Sequence, residues 1–217
     1  MKWSSFQNLS KSELQTINEN RYEATFKPGE IMMKQGSPAS NALFLASGMA
    51  KFYIEGYLGK NLIIGIALPG NLITGPGAYV NSRHNFTVAA ITRVKACFIS
   101  FDVFRHLMRT NSAFAESILE DVSQKALRSD TKMVNLTQKK MRGRVAETLI
   151  YFSDDVFKSD EYEMILSRQE FGEMANMAKE SVVRILRDLE DSGVITSASS
   201  RIIINDKEKL RLISEKG

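Results

Sequence analysis

The stretch SRQEFGEMANMAKESVVRILRDLEDSG, from Ser167 to Gly193, predicts two short helices joined by a tight turn. Ser167 and Glu170 have the spacing of a capping box, in which each side chain accepts a hydrogen bond from the other residue's backbone N–H. Asn176 falls in the turn, where a residue that tolerates positive φ is needed. The stretch therefore predicts a helix–turn–helix.

The second helix is expected over Ala178–Asp191, with Gly193 as its C-terminal cap. Lys179, Glu180 and Arg184 share one polar face. Arginine can donate two hydrogen bonds to guanine and glutamate can accept one from cytosine, so this face is a candidate for reading base pairs in the major groove. A solvent-exposed ion pair between Glu180 and Arg184 is the alternative. The buried face is expected to consist of Val182, Ile185, Leu186 and Leu189.

The segments on both sides extend this module. Val194–Thr196 and Arg201–Ile204 flank a polar turn and predict a β-hairpin, which makes the module a winged helix–turn–helix with Arg201 as a candidate phosphate contact. Before the module, Thr137 is expected to cap a new helix that begins with a basic run. Arg142 in this run is another candidate phosphate contact, and a merely solvated charged surface is the alternative. The run consists of Lys139, Lys140, Arg142 and Arg144.

The N-terminal half is richer in proline and glycine, which predicts an all-β domain. All four prolines lie between Pro28 and Pro76, and nine of the 13 glycines lie between Gly29 and Gly77. Short strands with frequent turns indicate a barrel or a sandwich. The expected strands are Glu30–Met33, Asn41–Leu45, Ala50–Glu55, Asn61–Ala67, Phe86–Ala90 and Ala96–Ile99.

From Asp102 onward the sequence has no proline, and its apolar residues recur at helical spacing. Ser100 is expected to cap a helix through His106, and a longer helix is expected from Ser112 to about Leu136. The long helix could pack on its own domain or on a second subunit. The two-fold symmetry of many DNA-binding proteins favours a dimerisation helix.

The composition is that of an ordinary globular protein, with a net charge of +4 and a pI of about 9.1, which is compatible with a polyanionic partner. The single cysteine, Cys97, has apolar neighbours and is expected to be a buried strand residue, and it excludes a disulfide framework. His84 and His106 lack metal-ligand spacing. The longest apolar run, around Leu62–Leu68, is too short to span a bilayer, so we expect a cytoplasmic protein without a membrane partner. No catalytic constellation or phosphate loop is present, and an enzyme is not expected.

From about Phe6 to Leu212 the sequence resembles the Crp–Fnr family of bacterial transcription regulators, and four passages carry the resemblance. They are FKPGEIMMKQGSPASNALFLASGMAKFY (26–53), LPGNLITGPGAYV (68–80), MRGRVAETLIYF (141–152) and LSRQEFGEMANMAKESVVRILRDLEDSGVI (166–195). The resemblance implies an α+β fold with three parts. These are an N-terminal cyclic-nucleotide-binding-type β-barrel, or jelly roll, over 1–110, a dimerisation helix and hinge over 111–137, and a winged helix–turn–helix over 138–217. It also implies a homodimer, double-stranded DNA and RNA polymerase as partners.

The resemblance assigns roles to residues of the winged helix–turn–helix. Ala178 departs from the family, whose members often have a serine there that caps the helix and contacts phosphate. The positions that read bases or the adjacent backbone are Lys179, Glu180, Val183 and Arg184, and the phosphate-contacting positions are Ser167 and Gln169.

The barrel departs more strongly from the family's cyclic-AMP-binding members. These use a glutamate for the ribose and an arginine–serine pair for the phosphate, where this chain has Gly75 or Pro76 and about His84 and Asn85. Because a buried phosphate needs a fixed cation or dense N–H donors, we expect no cyclic AMP bound in that way. A haem-binding relative, through His84 or His106, is an alternative. The candidate effector pocket is Thr74, Gly75, Gly77, Arg83, His84 and Asn85.

The sequence thus predicts a homodimeric regulator that binds a palindromic operator and is controlled by an unidentified small molecule, with no certain cofactor. The alternative is a DNA-binding regulator that needs no effector, whose barrel is a scaffold or a docking domain for a partner.

Overall fold

In the computed structural model, which describes residues 4–217 and side chains from residue 6 onward, the chain forms two units, Met1–Arg128 and Ser129–Gly217. The helices are α1 (Lys11–Glu19), α2 (Gly77–Val80), α3 (Phe101–Thr110), α4 (Ser112–Gln138), α5 (Met141–Tyr151), α6 (Arg168–Ala175), α7 (Lys179–Asp191) and α8 (Lys207–Lys216). The strands are β1 (Arg21–Phe26), β2 (Ile31–Met33), β3 (Asn41–Ser47), β4 (Ala50–Glu55), β5 (Asn61–Ala67), β6 (Leu72–Ile73), β7 (Thr87–Ala90), β8 (Val94–Ser100), β9 (Glu161–Glu163), β10 (Ile195–Ala198) and β11 (Arg201–Ile204).

The first unit contains two four-stranded antiparallel sheets, with strand orders β1-β8-β3-β6 and β2-β7-β4-β5. Strand β3 is covered on both faces, which explains why Ala42–Leu45 is an unbroken apolar run. Leu43 and Leu45 belong to the core between the sheets, whereas Phe44 belongs to a second core formed with residues of α1, α3 and α4. Cys97 on β8 is buried in this second core, as expected.

The α+β fold with an N-terminal jelly roll is confirmed, although the two sheets do not close into a barrel. No strand of one sheet pairs with a strand of the other within residues 4–217, apart from an isolated bridge between Pro38 and Arg83 outside both sheets. The chain passes between the sheets through turns rich in glycine and proline, and β6 is only two residues long, so the edges cannot join into a continuous ladder. The domain is therefore a double-sheet jelly roll.

Strands β4 and β5 have the predicted bounds, and most other predicted strands are shifted by one or two residues. The predictions missed β1, β6 and β9. In β1, Tyr22, Ala24 and Phe26 alternate with polar residues, a pattern that was available in the sequence. Strands β6 and β9 are too short to show any periodicity.

Helix α4 extends over the predicted range, but the expected cap at Thr137 is wrong. The Thr137 hydroxyl donates to the Met133 carbonyl oxygen at 2.8 Å, so this residue lies in the last turn of α4. The next helix, α5, begins after Lys140, whose backbone N–H donates to the Gly217 carbonyl oxygen at 2.8 Å. Ser100 precedes α3 but makes no capping bond with its side chain, and α3 continues to Thr110.

The second unit is a winged helix–turn–helix, as predicted. Helices α5, α6, α7 and α8 lie with the three-stranded sheet β10-β11-β9, whose hairpin β10–β11 is the wing. The predicted stripe on α7 is buried, together with residues of α5 and α6 such as Val145, Leu149 and Phe171. None of the helices in the described part of the chain is long and apolar enough to cross a membrane.

Candidate DNA-binding surface and effector segment

The start of α6 is built as the sequence predicts. The Ser167 hydroxyl accepts from the backbone N–H of Glu170 at 3.2 Å, and the Glu170 carboxylate accepts from the N–H of Ser167 at 2.8 Å. Both Ser167 and Gln169 are exposed at this helix N-terminus. The partial positive charge of a helix N-terminus favours an anion here, so the two positions are suitable for a phosphate contact.

Three features fix the turn between α6 and α7: one backbone conformation and two contacts. Asn176 has the predicted left-handed backbone, with φ 51°. A Cβ on Gly172 would lie 2.6 Å from the Met177 carbonyl oxygen, so only glycine allows this approach of the two backbones. The Arg144 guanidinium donates to the Asn176 carbonyl oxygen at 3.0 Å. The angle between the two helices is therefore set by backbone contact as well as by side chains.

The polar face of α7 is exposed and unpaired. Lys179, Glu180 and Arg184 are all exposed, and none of their side chains has a hydrogen bond or ion pair within the described residues. The solvent-exposed ion pair that was the alternative for Glu180 and Arg184 is thus not formed. Val183 lies on the same face with 41% of its surface exposed. Ala178 precedes the helix without a capping side chain.

Arg187 joins this face, and the sequence analysis omitted it. It is exposed and shares the surface formed by Lys179, Glu180, Val183 and Arg184. Its spacing could have identified it, because it lies seven residues after Glu180 and three after Arg184, which places it on the same side of a helix.

The basic run before the module divides into residues with different partners. Lys139 donates to Glu147 at 2.7 Å and to Ser214 at 2.8 Å. Arg144 is bound to the turn, as described above. Arg142 is exposed and has no partner among the residues that the structure describes, so it is free to contact a ligand.

On the wing, Arg201 is exposed but forms an ion pair with Glu161 of β9. Ser200 beside it donates to the Glu163 carboxylate. The positive charge that the sequence analysis placed on the wing is therefore accompanied by two carboxylates from the neighbouring strand.

Residues Thr74 to Asn85, here called the effector segment, bring four of the six candidate pocket residues into two contacts. A Cβ on Gly75 would lie 2.0 Å from the Asn85 side-chain oxygen. A Cβ on Gly77 would lie 2.3 Å from the Arg83 carbonyl oxygen, and the Arg83 N–H donates to the Gly77 carbonyl oxygen at 3.2 Å. Gly75 is one of the two positions, with Pro76, at which the resemblance places the ribose-binding glutamate, and the space beside it holds the Asn85 amide.

The cation of the effector segment, Arg83, is held against the backbone of another turn. Its side chain is exposed, and its guanidinium donates to the Gly36 carbonyl oxygen at 2.6 Å. Burial lowers the pKa of His84, which favours the neutral form of its ring. Thr74 Oγ1 and His84 Nδ1 are buried and have no hydrogen-bond partner within the described residues. These two atoms could bind a polar group of a small molecule, but they do not neutralise a phosphate.

Within residues 4–217, no group of three or more His, Cys, Asp or Glu side chains is arranged to hold a metal ion.

Two families match the chain. Residues 143–213 match the Crp-like helix-turn-helix domain, and residues 23–111 match the cyclic nucleotide-binding domain. Electron transport regulator A of Shewanella oneidensis is 26% identical over 212 residues, which cover 95% of this chain and 84% of that protein. The cAMP-activated global transcriptional regulator CRP of Escherichia coli O157:H7 is 25% identical over 177 residues, covering 80% of this chain and 84% of that protein.

Among solved structures, FixK2 from Bradyrhizobium japonicum has a similar fold, with a TM-score of 0.81 and 18% identity, over 89% of this chain and 96% of that one.

Proposed function

The chain belongs to the Crp–Fnr family of DNA-binding transcription regulators, and we propose from this premise that it is a homodimer that binds a palindromic operator. In this proposal residues 1–110 form the effector domain, 111–137 the dimerisation helix and hinge, and 138–217 the DNA-binding domain. Two α7 helices enter successive major grooves, so the half-sites lie about one helical turn apart. In this proposal RNA polymerase is a further partner of the DNA-bound protein, and the protein acts in the cytoplasm.

The observation that carries the proposal is the unpaired charge on α7. Glu180 and Arg184 are exposed in the N-terminal half of this helix and have no partner among the described residues. A charged pair left free on one face keeps its hydrogen-bonding capacity for a ligand, and guanine and cytosine match it. We assign to each half-site a G·C pair that Glu180 and Arg184 read together, with Lys179 and Val183 on the adjacent positions.

Phosphate contacts complete the proposed interface. Ser167 and Gln169 stand at the positive N-terminus of α6, and Arg142 is unpaired among the described residues. Arg201 would exchange its ion pair with Glu161 for a phosphate oxygen. These contacts position the protein on the duplex but carry no sequence information.

The proposed dimer uses α4. Leu119 and Val122 on this helix are 65% and 44% exposed, and Met133 and Val134 near its end are 61% and 47% exposed. Leu119, Val122 and Met133 have the spacing of one seam in a two-helix coiled coil. Exposed apolar residues in such a row are typical of a helix that pairs with a second copy.

The proposed effector is a small molecule other than cyclic AMP. The relative from E. coli is described as cAMP-activated, but in this chain the Asn85 amide fills the space beside Gly75 and Arg83 is bound to the Gly36 carbonyl. A cyclic phosphate buried without a cation would be strongly disfavoured.

Selection of bound duplexes from a random pool tests the main proposal. We expect an inverted repeat with a G·C pair in each half-site, and sedimentation of the complex should give two chains per duplex. A selection that returns no palindromic site would overturn the proposal.

A second candidate is a regulator that needs no effector. It is favoured by close packing around Phe52 in the core of the double-sheet domain: a Cβ on Gly65 would lie 2.5 Å from the Phe52 ring, and Phe52 packs on Phe86 with ring centroids 5.8 Å apart. Operator affinity measured with and without small molecules extracted from cells separates the candidates. An unchanged affinity supports this second one, and a changed affinity excludes it.

A further inference from the structure

The wing is held by side chains from both helices of the helix–turn–helix. Strands β10 and β11 are joined by the turn Ser199–Ser200, in which Ser199 has φ 58°. From α7, the Glu190 carboxylate accepts from the Ser197 N–H at 3.0 Å. From α6, one nitrogen of the Arg168 guanidinium, Nη2, donates to the Ser197 hydroxyl oxygen at 3.3 Å and to the Ser199 carbonyl oxygen at 3.2 Å. The Arg168 side chain therefore connects the wing tip to the N-terminus of α6.

Arg168 suits this role chemically. It is half-buried, and burial lowers the pKa of its guanidinium. A charged group in such a place needs acceptors, and Ser197 and Ser199 supply two. A planar guanidinium with several N–H groups can serve acceptors on a strand and in a turn at once, whereas the single ammonium of lysine lacks that fixed geometry.

We propose that Arg168 is a positioning residue for DNA binding, which sets the wing tip against the N-terminus of α6. The exposed Ser167 and Gln169 flank it in the sequence, Ser200 belongs to the turn that it holds, and Arg201 follows that turn. Arg168 thereby joins two phosphate-binding elements into one preformed surface, and it acts through the hairpin. This inference rests on the proposed function, in which both elements contact the DNA backbone.

The benefit of such a tie is preorganisation. A wing free to move would have to be ordered when DNA binds, and ordering a loop reduces affinity. Without Arg168, the Glu190 bond would be the remaining side-chain hydrogen bond, among the described residues, between the tip of β10 and the helix–turn–helix. We expect the removal of the Arg168 side chain to weaken contacts at the flank of each half-site but not contacts with the base pairs that α7 reads.

The experiment compares Arg168→Ala, Arg168→Lys, Ser197→Ala and the double variant Arg168→Ala with Ser197→Ala on the selected operator. Dissociation constants over a range of salt concentrations and hydroxyl-radical footprints are measured for each. We expect about tenfold weaker binding for Arg168→Ala and about threefold for Ser197→Ala, and the double variant should be no weaker than Arg168→Ala because the two residues act together. Arg168→Lys keeps the charge and should recover only part of the affinity.

The readouts separate positioning from a merely structural role. Arg168→Ala should lose footprint protection at the outer flank and lower the salt slope by about one per half-site, with base preference unchanged. Arg211→Ala, whose guanidinium bonds to Glu208 and Asp154 in the free protein, is the control for loss of one positive charge.

Additive effects together with a silent Ser197→Ala would show that Arg168 contacts phosphate itself, and would overturn the inference. A changed base preference with an intact flank would do the same. If the wild-type chain selects no palindromic duplex, the proposed function fails instead. If Arg168→Ala does not fold, Arg168→Lys and Ser197→Ala still decide the question, because both leave the hairpin and its core unchanged.

Discussion

The exposed face of α7 and the effector segment treat their polar groups in opposite ways. On α7, Glu180 and Arg184 face solvent and have no partner among the described residues. In the effector segment, the Arg83 guanidinium is bound to a backbone carbonyl and the Asn85 amide packs against Gly75. On α7, water solvates the charged groups that have no protein partner. In the effector segment the exposed Arg83 is bonded internally, whereas the buried Thr74 Oγ1 and His84 Nδ1 have no partner among the described residues. This difference explains why a DNA partner can be proposed for the face of α7, whereas no particular small molecule can be proposed for the effector segment.

The largest effect is expected from Arg184→Ala, which tests whether the free charge on α7 reads a base. The variant should lose about 1–3 kcal/mol of binding free energy per half-site and relax the preference at one base pair, because a bidentate contact to guanine is lost. Competition titrations with single-base operator variants measure this. Arg109→Ala, an exposed arginine of α3, is the control, and an unaltered base preference for Arg184→Ala would contradict the assignment.

Gly75→Glu tests the other side of the comparison, because it places a glutamate at one of the two positions, Gly75 or Pro76, where the resemblance expects the ribose-binding residue of cyclic-AMP-binding members. The new Cβ would lie 2.0 Å from the Asn85 oxygen, so we expect a loss of about 1–3 kcal/mol in stability from overpacking. Cyclic AMP should still not bind, since Arg83 remains committed to Gly36. Thermal denaturation and calorimetric titration with cyclic AMP measure the two results. Tight cyclic AMP binding would refute our account of the segment, and Lys60→Glu serves as an exposed control.

Ala178→Ser should stabilise the N-terminus of α7. Ala178 has the extended backbone of an N-cap residue, with φ −68° and ψ 148°, but no side-chain oxygen. A serine hydroxyl there could accept from the first turn of α7 and add about 0.5–2 kcal/mol of stability. The melting temperature should rise, whereas Ala178→Val should give no gain. Equal melting temperatures for the two variants would show that the helix start is already satisfied.

The smallest effect is expected from Arg142→Ala, which removes a proposed phosphate contact. Binding to every duplex should weaken alike, and the slope of log affinity against log salt should fall by about 0.9 per half-site. Fluorescence titrations at several salt concentrations test this, with Arg211→Ala as the charge control. A slope equal to that of the wild type would mean that Arg142 only faces solvent.

The sequence was a good guide wherever the signal is local. The capping box at Ser167, the left-handed Asn176 and the apolar stripe of α7 follow from spacing within one or two helical turns, and all three are present. The two-residue β6 carries no pattern that a sequence can display. Thr137 misled because a hydroxyl that could cap a new helix also bonds back to its own, and the sequence does not distinguish the two.

The effector segment depended on contacts between distant residues, which spacing does not encode. The Arg83 side chain reaches Gly36, 47 residues away, and its backbone bridges Pro38. The bond from Arg168 to the wing was invisible for the same reason, since its acceptors lie 29 and 31 residues further along. The residues of a site that spans several loops can be named from a resemblance, but their orientation comes only from the structure.

The close approach at Gly172 has a consequence for how such a reader can be controlled. Because the Met177 carbonyl oxygen would be 2.6 Å from any added Cβ, the backbone of the turn lies directly against α6 and constrains the angle at which α7 leaves it. We therefore expect a signal to act on the position of the whole module rather than on its internal shape. In a two-copy protein the adjustable quantity is then the separation between modules, and operators should differ in their sensitivity to the signal according to the number of base pairs between their half-sites.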